Sequence, residues 1–331
     1  MNLPAALYAI RWLIHDTFRQ ARASGILWVM LIVSGLAILL CLSISVHDPA
    51  HIREAGEFLS REEAEALGRE KVAKHRVEVV SGQQSLAFGA IRLPLGRDAQ
   101  DAVYHFQVVL AGGVADTLGV LLTLVWTAGF LPSFLDPSAA SVLLAKPVPR
   151  WSLLAGKYLG VLTFVASQAV LFVCGTWLAL GLRTGFWNAP YLMAVPMLLL
   201  NFAVFFSFSV LLAVLTRSTV VCVFGSLLFW LMCWGMNMGR HTVLALPEFE
   251  TMSPAFGALV NVGYWVMPKP ADMSLLLFDV LRSDAFQPKP PILKAIQDKG
   301  LFAPDLSLLT SLAATVALVA AAGYEFVRQD Y

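Results

Sequence analysis

The chain has 331 residues, of which 58% are hydrophobic and 14% charged, with a formal net charge of +1 and a mean hydropathy of +0.72. Soluble domains carry about 45–50% apolar and about 25% charged residues. A single soluble globule, a disordered chain and a nucleic-acid binder are therefore excluded, the last because the charges balance. What remains is a protein that crosses a membrane several times.

Residues 1–24 come first. At 100° per residue, Leu7, Ile10, Leu13, Ile14, Thr17, Phe18 and Ala21 share one arc, and Arg11, His15, Arg19 and Arg22 the adjacent one. This pattern predicts a basic amphipathic "elbow" helix lying in the cytoplasmic headgroup layer. Crossing the hydrocarbon core takes about 20 apolar residues, about 30 Å at 1.5 Å each. Uncharged runs of that kind occur at Ala23–Val46, Thr117–Leu135, Tyr158–Leu182, Thr184–Thr216, Ser218–Gly239 and Leu306–Tyr324. The expectation is an all-α integral membrane protein with six transmembrane helices, at 25–47, 108–135, three within 158–240, and 305–324. Thr251–Pro268 is interrupted by Pro254, Gly257, Asn261 and Gly263, so short interfacial or re-entrant helices are expected in 241–304.

The charges are clumped, eighteen between Asp48 and Asp101 and thirteen between Arg240 and Asp305. Residues 48–107 read as a small extracytoplasmic α/β insertion. Ser60 with Glu63 has capping-box spacing, and Val77–Val80 with Leu86–Ile91, split by Ser81-Gly82-Gln83-Gln84, predicts a hairpin. Basic residues at Arg11, Arg19, Arg22, Lys146, Arg150, Lys157 and Arg217 predict a cytoplasmic location for their loops, with both termini inside a plasma (inner) membrane. No cleavable signal is visible, and the four cysteines sit in apolar runs as packing residues. Asp116 falls in the second span, where a carboxylate is costly. It reads either as a snorkelling or capping residue or as a contributor to a substrate path.

Between the second and third spans, residues 136–157 form a basic segment broken by Pro147 and Pro149. The stretch Leu144-Ala145-Lys146-Pro147-Val148-Pro149-Arg150-Trp151, followed by Leu153-Leu154-Ala155-Gly156-Lys157-Tyr158, resembles the signature of ABC-2 type transporter permease subunits. The branch it resembles is the one linked to multicopper-enzyme maturation. Asp136-Pro137-Ser138-Ala139-Ala140 stands where that family often carries a Glu-rich stretch. The resemblance implies that Lys146, Pro147, Arg150, Trp151 and Lys157 contact a separate ABC ATPase subunit. It also implies that the elbow helix borders that subunit, and that two permeases, identical or different, pair in the lipid. Residues 325–331 would be a cytoplasmic tail.

The chain lacks a P-loop, since Gly156-Lys157 has Trp151 where the earlier glycine belongs. No enzyme activity or cofactor is expected in this chain; ATP and Mg would be bound by the partner. Four readings stand side by side: a transport permease, a non-transporting subunit that transmits force or signal outward, an ion-coupled secondary transporter, and a membrane-embedded enzyme. No metal site is expected. The alternative is Cu(I) on soft ligands, His47 with His51, and Met232, Met236, Met238 and His241 beside Cys233.

Overall fold

A computed structural model describes residues 3–47, 50–52, 58–59, 78–80, 82–95, 99–135, 149–246, 253–282 and 291–328. Helix α1 (Leu3–Ala23) and helix α2 (Ile26–Leu42) meet at a 76° bend. Gly25 makes that corner at φ 79°, a left-handed conformation that costs glycine little. Strands β1 (Ser45–His47), β2 (Ala50–Ile52), β3 (Phe58–Leu59), β4 (Glu78–Val80), β5 (Gly82–Leu86) and β6 (Ile91–Leu95) follow. Helix α3 (Ala99–Phe134) contains a π-helical stretch, Val109–Gly119. Then come α4 (Arg150–Thr184), α5 (Ala194–Thr216, entered through a 3-10 turn at Ala189–Met193), α6 (Thr219–Ala245), α7 (Pro254–Val266), α8 (Pro270–Val280), α9 (Pro291–Asp298) and α10 (Pro304–Arg328).

Among the described residues, five helices are long and apolar enough to cross a membrane, or six if the bent pair α1–α2 makes one span. By itself α2 has only 17 residues. It stops at Leu42, before the expected end of the run, because Ser45 already pairs with Ser85 in a sheet. In contrast, α3 starts earlier than the predicted 108. Its first turns bury Ala99, Ala102 and Val103, and Val103 packs in a small cluster with Cys41, Ile44 and Leu180. Helix α7, at 13 residues, is too short to span.

The described strands form two antiparallel three-stranded sheets, β1-β5-β6 and β3-β2-β4. This corrects the expected hairpin. The residues proposed as its turn, Gly82–Gln84, lie inside β5, and β4 pairs with β2 rather than with the strand that follows it. The tight turn is Ala87-Phe88-Gly89, where all three residues have positive φ. Only Gly89 carried a turn signal there, and Ala and Phe rarely adopt this conformation. The proposed capping box at Ser60 and Glu63 lies outside the described residues.

Helix α5 is the most buried of the crossing helices and sits centrally, packed by α3, α4, α6 and α10. Phe202, Phe205 and Phe206 are among the largest fully buried side chains. Phe202 stacks on Phe206, and Phe206 on Tyr158 of α4. Successive crossing helices alternate in direction, so the N-terminus of α4 and the C-termini of α5 and α10 share one end of the bundle. The C-terminus of α6 and the start of α10 share the other.

Candidate functional site

At the first of these ends, α1 lies directly on α4. The contact is made through Gly156 and Gly160, four residues apart on one face. A Cβ at Gly160 would stand 2.5 Å from Thr17 Oγ1 and 3.2 Å from the Leu13 carbonyl; one at Gly156 would stand 3.1 Å from Ile10 Cα. Small residues at this spacing let helix backbones approach closely, which is how helices gain contact where lipid offers no hydrophobic drive. Leu13, Thr17 and Ala21 of α1 are buried, while Arg11, His15, Arg19 and Arg22 are exposed along it.

Lys157 sits between the two glycines and is 1% exposed. Its Nζ donates to Gln20 Oε1 at 2.6 Å and pairs with Asp16 Oδ2 at 3.4 Å. Gln20 Nε2 in turn donates to Ser133 Oγ at 2.7 Å, near the C-terminus of α3. Its neighbour Tyr158 donates to the Ala203 carbonyl of α5 at 3.1 Å. Arg150, the first residue of α4, donates from Nη1 to the Val327 carbonyl of α10 at 3.2 Å. Trp151 beside it is 44% exposed. The first turns of α4 therefore hold α1, α3, α5 and α10 while leaving Trp151 uncovered. Lys146 and Pro147 lie outside the described residues. The Gly156-Gly160 spacing is the signal in the sequence that identifies α1 as the partner of Lys157.

Asp116, on the π-helical stretch of α3, is buried. It accepts from Asn201 Nδ2 of α5 at 2.7 Å and from Ser274 Oγ of α8 at 2.5 Å. A carboxylate with these donors joins three helices. Asn201 Oδ1 is buried without a hydrogen-bond partner among the described residues.

A second polar cluster, missed in the sequence, fills the opposite end. Asp272 of α8 is fully buried. Its Oδ1 accepts from Asn237 Nδ2 at 2.9 Å and lies 2.5 Å from His241 Nε2, both on α6. Its Oδ2 accepts from the Tyr264 hydroxyl of α7 at 2.8 Å and from Ser307 Oγ of α10 at 2.6 Å. Burial alone would raise the Asp272 carboxyl, but the bonds and charge of His241, with Ser307 and Asn237, hold it below the ordinary carboxylate value. Lys269 donates to Thr310 Oγ1 at 2.7 Å and stands 4.6 Å from the Tyr264 ring centre. Burial lowers its ammonium to about 8. The signal was available as Asn237 and His241 one helical turn apart, but no spacing pointed from them to Asp272.

The copper alternative meets a different geometry. His47 and His51 lie in β1 and β2, strands of separate sheets, so their spacing is not that of one helix face. His241 Nε2 is committed to Asp272, Met236 packs on Gly263, and Met232 faces outward at 40% exposure. Among the described residues, no group of three or more His, Cys, Asp or Glu could hold a metal ion.

A bundle of crossing helices whose cytoplasm-type signature opens onto a helix hub defines a multi-pass membrane transport component. The match to known families agrees: the family described as ABC-2 family transporter protein covers residues 11–331. The chain belongs to that family, whose members are membrane components of transporters rather than catalysts themselves. No curated protein matches the chain.

Proposed function

We propose that this chain is the permease subunit of an ATP-binding cassette transporter, moving its substrate with ATP hydrolysed by a separate ATPase subunit. It pairs with a second permease, lies in the plasma (inner) membrane with both termini cytoplasmic, and carries 48–107 on the outer side. The observation that supports this most is the hub at the start of α4. A push on the segment ending at Trp151 reaches α10 through Arg150, α1 through Gly156, Lys157 and Gly160, and α5 through Tyr158. Such a junction suits a part that receives motion from a docked protein and distributes it. Arg and Trp are also frequent anchors of protein interfaces.

The test replaces Trp151→Ala together with Arg150→Glu. Recovery of the ABC ATPase that co-purifies with the chain is expected to fall by about tenfold, while the amount of inserted permease stays the same. Unchanged ATPase recovery would count against the reading. So would labelling, from outside intact cells, of a cysteine placed at position 151.

A further inference from the structure

A cavity of about 240 Å³ opens between α2, α3, α4 and α5, well away from both polar clusters. Its walls are almost wholly apolar, formed by side chains such as Met30, Trp126, Phe172 and Phe202. On α3 the wall is the π-helical stretch, where Ala115 and Gly119 leave room. Wide turns of this kind recur at functional sites. Val33, Leu118 and Leu122 also line it and are 46%, 58% and 46% exposed, so the mouth opens sideways on the bundle.

One polar side chain breaks the pattern. Gln168 of α4 lines the cavity, is 7% exposed, and its Oε1 is buried with no hydrogen-bond partner among the described residues. It stands near the middle of the 35-residue helix, about 27 Å from its start at 1.5 Å per residue. At that depth there is no water to satisfy an amide. A phospholipid cannot satisfy it either, because its headgroup stays at the interface and its acyl chain has no donor.

We infer that this cavity binds a neutral, largely apolar molecule carrying one hydroxyl, taken laterally from the bilayer, with the hydroxyl donating to Gln168. An apolar cavity of about 150 Å³ already holds a benzene-sized molecule, so the space suits a longer chain or a fused-ring alcohol. Charged, strongly polar and peptide ligands do not fit these walls. The π-helical stretch forms one wall here while its Asp116 bonds to α5 and α8, so the same wide turns shape the cavity and tie it to the bundle.

The test uses the full chain, purified without ATPase and reconstituted in phosphatidylcholine nanodiscs, so that its failure leaves the permease reading standing. The probe is dodecanol carrying a diazirine. Saturable labelling is expected on peptides containing Ala115–Thr123 and Gln168–Phe172. Dodecanol should displace the probe about tenfold better than its methyl ether, as one hydrogen bond would give. Gln168→Leu should abolish that preference while labelling persists, and Ala115→Phe, which fills the space, should abolish labelling. Variants are compared at equal thermal stability. Equal displacement by alcohol and ether overturns the proposal. So does unsaturable labelling shared with the outward faces of α2 and α6, which would mean lipid chains alone fill the groove. Cross-linking of two copies through cysteines at 33 and 118, without probe, would show the mouth covered by a second chain and would overturn it too.

Discussion

The two ends of the bundle join helices in opposite ways. At the start of α4 the joint is made by absence of side chain: Gly156 and Gly160 bring two backbones together, and one lysine reaches across to Gln20 and to Asp16, which is 37% exposed on its side chain. At the C-terminus of α6 the joint is made of polar groups: one buried carboxylate receives four side-chain partners from α6, α7 and α10. Contact between smooth glycine faces tolerates small sliding, whereas a saturated carboxylate fixes its partners in one arrangement. Helix α10 touches both, through Ser307 and the Val327 carbonyl, about 30 Å apart along its axis. One end can thus yield to a push while the other serves as a fixed point.

The largest effect should come from the fixed end. Asp272→Ala strands His241, Asn237, Tyr264 and Ser307 in a dry site. It is expected to cost about 3–5 kcal/mol, read as a sharp fall in the midpoint of thermal unfolding in detergent. A loss no greater than that of an ordinary surface substitution would erase the contrast between the two ends.

Gly160→Leu tests the yielding end. The new side chain must push Thr17 and the Leu13 carbonyl away, at a cost of about 1–3 kcal/mol. The expected signature is local: faster amide hydrogen exchange across α1, with the exchange of α6 and α8 unchanged. Slowing or spreading of exchange over the whole bundle would show that the two joints are not independent.

The smallest expected effect is a pH dependence confined to the fixed end. The folded protein holds Lys269 at about 8, below its ordinary 10.5. Between these values the unfolded chain binds the extra proton, so stability rises with pH through that window and is lowest where both states are protonated. Thermal stability should be higher near about pH 9.5 than near about pH 7, and Lys269→Met should remove the difference. A slope of the opposite sign would mean that Lys269 gains more from Asp272 and Tyr264 than it loses by burial.

Much of this was open to reading in the chain itself. Runs without charge mark helices because lipid leaves a backbone no other partner, and this holds residue by residue from α3 to α10. The faces of α1 followed from spacing alone, as Leu13, Thr17 and Ala21 show. Lys157 did not: its place in a basic, proline-bounded segment directed it toward an outside partner, while the fold turns it inward to Gln20.

What the amino-acid order determined by itself is whatever depends on neighbours three or four positions away or on the run length needed to cross oil. The tertiary structure alone decided which carboxylate meets which donor, that the turn of the sheet falls at Ala87–Gly89, and that four helices leave a space beside Gln168. These rest on groups distant along the chain, such as Asp116 with Ser274 and His241 with Asp272. Local spacing carries no record of such pairs, because packing brings them together only when every helix has found its place.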